Sequence, residues 1–218
     1  MKLTSKNMRL YAVSDRAWSR DDEDFLSKVD ECLKSGVTIF QLREKNSDYE
    51  HFKSRALAIK PMCRRYGVIF IINDNVQLAK DIDADGVHIG QDDESIAQAR
   101  KILGDEKIIG VSAHNVEEAV AAESAGADYL GCGAAFVTTT KTDAGAIKHE
   151  TLKDITNAVN IPVIAIGGIT DSNILTLCDL GLDGVAVVSA IFAQDNVSEA
   201  TVGLRQKAEQ VAKSTRKI

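Results

Sequence analysis

Nothing in this chain is apolar for long enough to cross a bilayer as a helix: a span needs roughly 18 consecutive apolar residues, and no such run occurs. The opening Met1-Lys2-Leu3-Thr4-Ser5-Lys6 does not lead into the hydrophobic segment of a secretion signal either, because Arg9 and then Asp15-Arg16 interrupt it. A cytoplasmic protein without a membrane partner is expected. Cysteine is scarce, and Cys32, Cys63, Cys132 and Cys178 stand singly, too far apart for a structural zinc site and too few for a disulfide scaffold. They are expected to be buried free thiols. Positive charge is in deficit, with 26 Lys and Arg against 32 Asp and Glu, a net charge of -6. No global field attracts DNA, RNA or an anionic membrane, so an anionic substrate would need a local basic pocket.

What is present is a globular composition, 44% hydrophobic and 27% charged over 218 residues, which excludes disorder and a coiled coil. That length predicts one domain, 1–218, burying about 70% of the unfolded chain's surface. Short apolar runs alternate with helical patterns throughout. The strands are expected at Arg9–Val13, Val37–Leu42, Val68–Ile72, Gly86–Ile89, Lys107–Val111, Tyr129–Gly131, Pro162–Ile166 and Gly184–Val188. Helices are expected at Asp24–Lys34, Tyr49–Tyr66, Val76–Lys80, Glu94–Leu103, Val116–Ala125, Glu150–Val159, Ser172–Leu180 and Val197–Lys213, with Pro61 kinking or restarting the second. Fully apolar strands separated by helices call for a parallel sheet covered by helices. Eight units of about 27 residues each predict a single (β/α)8 TIM barrel, with an open doubly wound sheet as the alternative. Phrases such as Ser35-Gly36-Val37, Ala84-Asp85-Gly86-Val87, Ala125-Gly126-Ala127-Asp128-Tyr129 and Leu180-Gly181-Leu182-Asp183-Gly184-Val185 recur where a helix ends and the next strand begins. They read as quasi-repeats of the barrel unit, with glycine supplying left-handed helix stops.

Chemistry in such a barrel gathers at the carboxyl ends of the strands. The second strand leaves through Gln41-Leu42-Arg43-Glu44-Lys45, where alternation turns Gln41, Arg43 and Lys45 one way as a donor-rich wall. The third ends in Asn73-Asp74, and the fourth leads into Gln91-Asp92-Asp93. Two carboxylates from adjacent strand ends suit one hard cation, magnesium rather than zinc. Asp92 competes with Asp93 for that role, and Asp93 has the alternative of capping the following helix. Ser112 and His114 follow the fifth strand, but no Ser-His-Asp order is established and a triad is not expected. His88 is expected to be a hydrogen-bonded core residue, and His51 and His149 surface residues. Thr138-Thr139-Thr140-Lys141 suits phosphate or diphosphate contacts from a long loop. Gly167-Gly168-Ile169 and Ser189-Ala190-Ile191, directly after the last two strands, let backbone N–H groups approach a phosphate.

Taken together, from Leu10-Tyr11-Ala12-Val13 to Val188-Ser189-Ala190-Ile191, these motifs resemble the thiamine phosphate synthase family. The resemblance implies a transferase that joins 4-amino-2-methyl-5-pyrimidinylmethyl diphosphate to 4-methyl-5-(2-phosphooxyethyl)thiazole, or its carboxylated form, giving thiamine phosphate and diphosphate. It further implies Mg2+ held by Asp74 and Asp93, with the diphosphate held by Arg43, Lys45, Asn73 and Lys141. Gln41 and Ser112 would orient the pyrimidine, while Thr138, Thr140, Gly168, Val188 and Ser189 would receive the thiazole phosphate. Arg43, Lys45, Ser112 and Lys141 are the residues implied closest to the bond change.

The chain departs from the family pattern after the sixth strand, where Gly133-Ala134-Ala135-Phe136-Val137 replaces a Gly-Pro start and a later proline. A less rigid loop is expected there. Downstream, Asp143-Ala144-Gly145-Ala146 keeps only part of the familiar run. Two alternatives stand beside the synthase: a thiazole tautomerase on the same barrel, which would not need the full diphosphate wall, and a non-catalytic phosphate-ligand binding barrel. Homo-oligomerisation is left open by the sequence.

Overall fold

Eight parallel strands pair in chain order and the eighth returns to the first, closing the sheet. The computed structural model describes residues 3–45, 47–91, 93–137 and 146–213. Its strands are β1 (Leu10–Val13), β2 (Ile39–Leu42), β3 (Ile69–Asn73), β4 (Gly86–Ile89), β5 (Ile108–Ala113), β6 (Tyr129–Gly133), β7 (Val163–Ile166) and β8 (Gly184–Val187). Among the described residues the α-helices are α1 (Asp22–Lys34), α2 (Tyr49–Tyr66), α3 (Val76–Asp81), α4 (Ile96–Leu103), α5 (Val116–Ser124), α6 (His149–Ala158), α7 (Ser189–Phe192) and α8 (Val197–Lys213). This is the (β/α)8 TIM barrel; the open sheet is excluded by the pairing of Leu10, Tyr11 and Ala12 with Val185, Ala186 and Val187.

Alternation along each strand produces two cores. One set of side chains, including Met8, Tyr11, Ile39, Ile69, Ile71, Ile108, Tyr129 and Ile164, fills the barrel interior. The other set faces the helices, where Phe40 packs between Phe70 and Phe192 at ring distances of 6.4 and 6.3 Å. α1 buries Phe25, Val29, Cys32 and Leu33, and α8 buries Val197, Thr201, Leu204, Ala208 and Val211. Each large apolar side chain so covered contributes about 2 kcal/mol relative to exposure.

The quasi-repeats have a structural meaning beyond helix stops. Gly36, Gly126 and Gly181 do take positive φ, at 112°, 96° and 83°. Gly86 and Gly184 instead lie inside strands, where a Cβ would sit 2.2 Å from the Ile108 carbonyl oxygen and 1.8 Å from that of Met8. The aspartate before them is the working residue. Asp85 donates its N–H to Phe70 O at 3.0 Å and accepts Phe70 N–H on Oδ2 at 2.8 Å. Asp128 does the same to Ile109, with bonds of 2.8 and 2.8 Å, and Asp183 to Val163, with bonds of 2.8 and 2.9 Å. Thr38 repeats the two-bond clasp on Leu10, its N–H reaching Leu10 O at 2.8 Å and its Oγ1 taking Leu10 N–H at 3.2 Å. Each odd strand thus has the N–H of its first or second residue held by the residue that precedes the next even strand.

Two helices differ from expectation. α2 runs through Pro61 without a break, because Pro61 and Leu57 one turn earlier, whose carbonyl loses its helix partner, lie on the solvent face and not against the core. The helix expected over Ser172–Leu180 is reduced to a 3-10 turn at Ile174–Leu177. Side chains there compete for the backbone: Asn173 Oδ1 accepts Thr170 N–H at 2.8 Å, Thr176 Oγ1 donates to Asn173 O at 2.7 Å, and Asp179 turns left-handed at φ 63°.

All four cysteines are free; Cys32, Cys63 and Cys132 are buried and Cys178 is half-buried. Burial pushes the Cys132 thiol up to about 12 and raises Cys32 and Cys63 further. In titration with an aromatic disulfide reagent at pH 8, at most Cys178 reacts in the folded chain and all four react in guanidinium chloride. Asp183→Ala leaves the buried Val163 N–H without its charged acceptor and lowers stability by about 2 kcal/mol, read as a reduced urea midpoint at unchanged slope.

Candidate active site

The interior positions at the carboxyl ends of the strands line one cavity, open at that end of the barrel. On one side the wall is polar. Gln41 of β2 is buried, and Arg43, just beyond the strand, is half-buried. Arg43 is held by Ser14, a wholly buried residue that the sequence did not mark. Ser14 N–H donates to Gln41 O at 3.0 Å, and Ser14 Oγ accepts Arg43 N–H at 2.9 Å. This prolongs the β1–β2 ladder past both strand ends and fixes the direction in which Arg43 leaves.

Glu44 turns away from the cavity, and its carboxylate meets Arg55 of α2 at 3.1 Å. Burial raises the Glu44 pKa above the usual carboxylate range, against the pull of Arg55 and Arg16. Lys45 is exposed and lies outside the cavity lining, since the strand has ended at Leu42 and alternation no longer dictates its direction.

Asn73 closes β3 and lines the cavity. Asp74 follows in a left-handed conformation, φ 61°, and its N–H donates to His88 O at 2.8 Å. A non-glycine residue at such an angle stores strain that a functional site commonly uses. Its carboxylate accepts from the Asn73 amide. Asp93, in the loop after β4, accepts Gly90 N–H on Oδ2 at 2.6 Å. It does not cap the following helix: α4 starts at Ile96, and Ser95 is the cap, accepting Gln98 N–H at 3.2 Å.

Among the described residues no three His, Cys, Asp or Glu side chains gather into a metal cluster. The donors at the exits of the neighbouring strands β3 and β4 are hard carboxylate oxygens. Two such ligands fit magnesium, which commonly takes its remaining ligands from water and substrate phosphate.

On the opposite side the wall is made of small residues. Gly167 and Gly168 have φ of 98° and 65°, and a Cβ on Gly168 would fall 2.7 Å from Val137 O and 2.8 Å from Phe136 O. The exit of β6 therefore packs directly on the glycine pair. Ala135 N–H donates to Ile166 O at 2.8 Å and Phe136 N–H to Gly167 O at 3.0 Å, so Ala134 and Ala135 are buried and held by β7 without the family's prolines. Asn173 draws the Gly168 carbonyl outward with a 2.9 Å bond. Beside the pair, Val188 and Ser189 line the same cavity at the turn into α7, whose first N–H groups have no carbonyl to serve within the helix.

The cavity floor is a buried polar line through Tyr11, Tyr129 and His88 that the sequence reading left unconnected. His88 is hydrogen-bonded within the barrel, as expected, and its Nε2 lies 3.1 Å from Ser112 Oγ. Its Nδ1 faces the Tyr129 hydroxyl at 2.9 Å, so this Ser–His pair has a phenol where a triad has a carboxylate. Burial pushes both phenols above their ordinary pKa and keeps them protonated. His114 also lines the cavity, but its Nδ1 is turned to Glu118 at 2.9 Å. Asp92, Thr138, Thr139, Thr140, Lys141 and the Asp143–Gly145 run lie outside the described residues.

The structure thus brings Gln41, Arg43, Asn73, Ser112, Gly168, Val188 and Ser189 to one cavity, with Asp74 and Asp93 on the adjoining loops after β3 and β4. The family described as thiamine monophosphate synthase matches residues 10–191. The chain is 45% identical over 202 residues to the thiamine-phosphate synthase of Methanobrevibacter smithii, covering 93% of this chain and 96% of that one. It is 45% identical over 195 residues to that of Fusobacterium nucleatum, covering 89% and 94%. The solved thiamine phosphate pyrophosphorylase from Pyrococcus furiosus has a TM-score of 0.87 at 37% identity, over 95% of this chain and 98% of that one. With barrel, cavity and sequence in agreement, the chain belongs to the thiamine monophosphate synthase family, transferases of thiamine biosynthesis that couple a pyrimidine diphosphate to a thiazole phosphate.

Proposed function

We propose that one barrel domain, 1–218, carries the complete coupling site, and that the two walls of its cavity divide the substrates between them. The observation that carries this is the arrangement of Gln41, Arg43, Asn73 and Ser112 opposite Gly168, Val188 and Ser189 around a single cavity. The polar wall takes 4-amino-2-methyl-5-pyrimidinylmethyl diphosphate, with Gln41 and Ser112 on the heterocycle and Arg43 and Asn73 on the diphosphate. Lys45 and Lys141 complete the diphosphate contacts. The small-residue wall takes the phosphate of 4-methyl-5-(2-phosphooxyethyl)thiazole or its carboxylated form, joined by Thr138 and Thr140.

Asp74 and Asp93 hold Mg2+, which when bound supplies positive charge to the departing diphosphate. Arg43 and the two lysines add to that charge, which is worth most where water is excluded. The pyrimidine amine stabilises the cationic methylene carbon left behind, and the thiazole nitrogen attacks it. No protein nucleophile is required. The residues align the two rings and keep out the water that would intercept the cation. A cytoplasmic setting belongs to the same proposal and is supported by the four free thiols. Among the described residues no helix is long and apolar enough to cross a membrane.

Incubation with both substrates and magnesium is expected to release diphosphate and form thiamine phosphate in equal amounts, with no product when either substrate is omitted or a chelator is added. A folded chain that binds the thiazole phosphate without product would favour the tautomerase or the silent barrel. Asp74→Asn and Asp93→Asn are each expected to raise the magnesium concentration for half-maximal turnover at least 10-fold with the thermal midpoint unchanged; unaltered magnesium dependence in both rejects the pair.

A further inference from the structure

Between Gln41 and Ser112 runs an unbroken line of hydrogen bonds across the barrel interior. Gln41 Nε2 donates to Tyr11 Oη at 2.7 Å, and Tyr11 Oη lies 2.8 Å from Tyr129 Oη. Tyr129 Oη lies 2.9 Å from His88 Nδ1, and His88 Nε2 lies 3.1 Å from Ser112 Oγ. Both tyrosines are buried, at 1% and 0% exposure, so bulk water is not available to re-pair them. Glycine at two interior positions leaves the rings their space: a Cβ on Gly110 would fall 2.0 Å from the Tyr129 ring, and one on Gly131 would fall 3.1 Å from His88 Cε1.

A phenol has one proton to give, so the direction of the first bond decides the rest. With Gln41 Nε2 turned to Tyr11, Tyr11 accepts from Gln41 and has its proton for Tyr129. Tyr129 must then donate to His88 Nδ1. Neutral His88 carries its proton on Nε2 and donates it to Ser112 Oγ. The Ser112 proton is left to face away from His88, and Gln41 Oε1 is left as an acceptor. Run backwards, the same line would offer an amide donor at Gln41 and an acceptor at Ser112.

We infer that Tyr11, Tyr129 and His88 are positioning residues that set the polarity of this line, so that Gln41 Oε1 and Ser112 Oγ–H together read an aminopyrimidine, with its donor amine and acceptor ring nitrogen. The 4-oxo counterpart presents a carbonyl in place of the amine and carries a ring N–H, and is disfavoured. The inference rests on the assignment of Gln41 and Ser112 to the pyrimidine.

The test has two arms. In nitrogen-15 histidine NMR of the full chain without substrate, with His88 assigned through His88→Gln, the neutral Nε2–H tautomer is expected at pH 7.5. In Tyr129→Phe and Tyr11→Phe the population moves toward Nδ1–H. In calorimetric binding of the 4-amino and 4-oxo pyrimidinylmethyl diphosphates without thiazole phosphate, the wild-type preference for the amine falls about 10-fold or more in both Phe variants, the loss of roughly one hydrogen bond. Affinity for the thiazole phosphate stays unchanged. His88→Gln keeps a donor toward Ser112 and retains the preference, whereas His88→Leu loses it. An Nδ1–H or imidazolium His88 in the wild type, or an unchanged preference in both Phe variants, overturns the inference. Neither arm needs turnover, so a chain that shows both signatures and forms no thiamine phosphate refutes the coupling reaction and leaves the polarity standing.

Discussion

Closing eight parallel strands on themselves forces every second side chain into a space that only side chains can fill. In this protein the lower part of that space is aliphatic, with Ile39, Ile69 and Ile108 among its members, and nearer the mouth β2 to β5 present Gln41, Asn73, His88 and Ser112 while β6 to β8 present small and apolar residues. Along β2 and β3 the change of character takes two residues, from Ile39 to Gln41 and from Ile71 to Asn73. It gives the cavity a buried, hydrogen-bonded floor, in which polar groups are costly to leave unmatched. The mouth can then depend on loops, because the barrel beneath it does not.

Electrostatically the site inverts the molecule around it. The chain as a whole is negative, yet Arg43 leaves β2 into the cavity, fixed by Ser14, while Glu44 is turned outward to Arg55. The helix-side pairing of Glu44 keeps its carboxylate out of the cavity that Arg43 lines. The carboxylates of Asp74 and Asp93 sit on the loops after β3 and β4, outside the lining of that cavity.

Much of this was legible in the sequence because strand ends are legible. Gln41, Arg43, Asn73, Ser112 and the glycine pair are polar or small residues at the ends of apolar runs, and the barrel rule converts that position into a shared cavity. Tyr11 and Tyr129 were not legible, since an aromatic residue inside an apolar run reads as core and their hydroxyls meet only across the barrel, 118 residues apart in sequence. Ser14 follows a strand that already looked complete. The helix expected at Ser172–Leu180 failed for a local reason: hydroxyl and amide side chains took the backbone groups that a helix would have used. Asp93 had the alternative of capping the next helix, and the position of Ser95 decides against it.

The clasps made by Thr38, Asp85, Asp128 and Asp183 lie at the end of the barrel away from the cavity, one for each odd strand and the even strand that follows it. A parallel pair that slipped by one residue would break its clasp and exchange its inward and outward side chains. The four residues therefore act as a check on alignment, repeated around the ring. Because of them Gln41, Asn73, Ser112 and Ser189, each delivered by a different strand, arrive at the height of a common cavity, and the loops above are free to vary without the chain losing count.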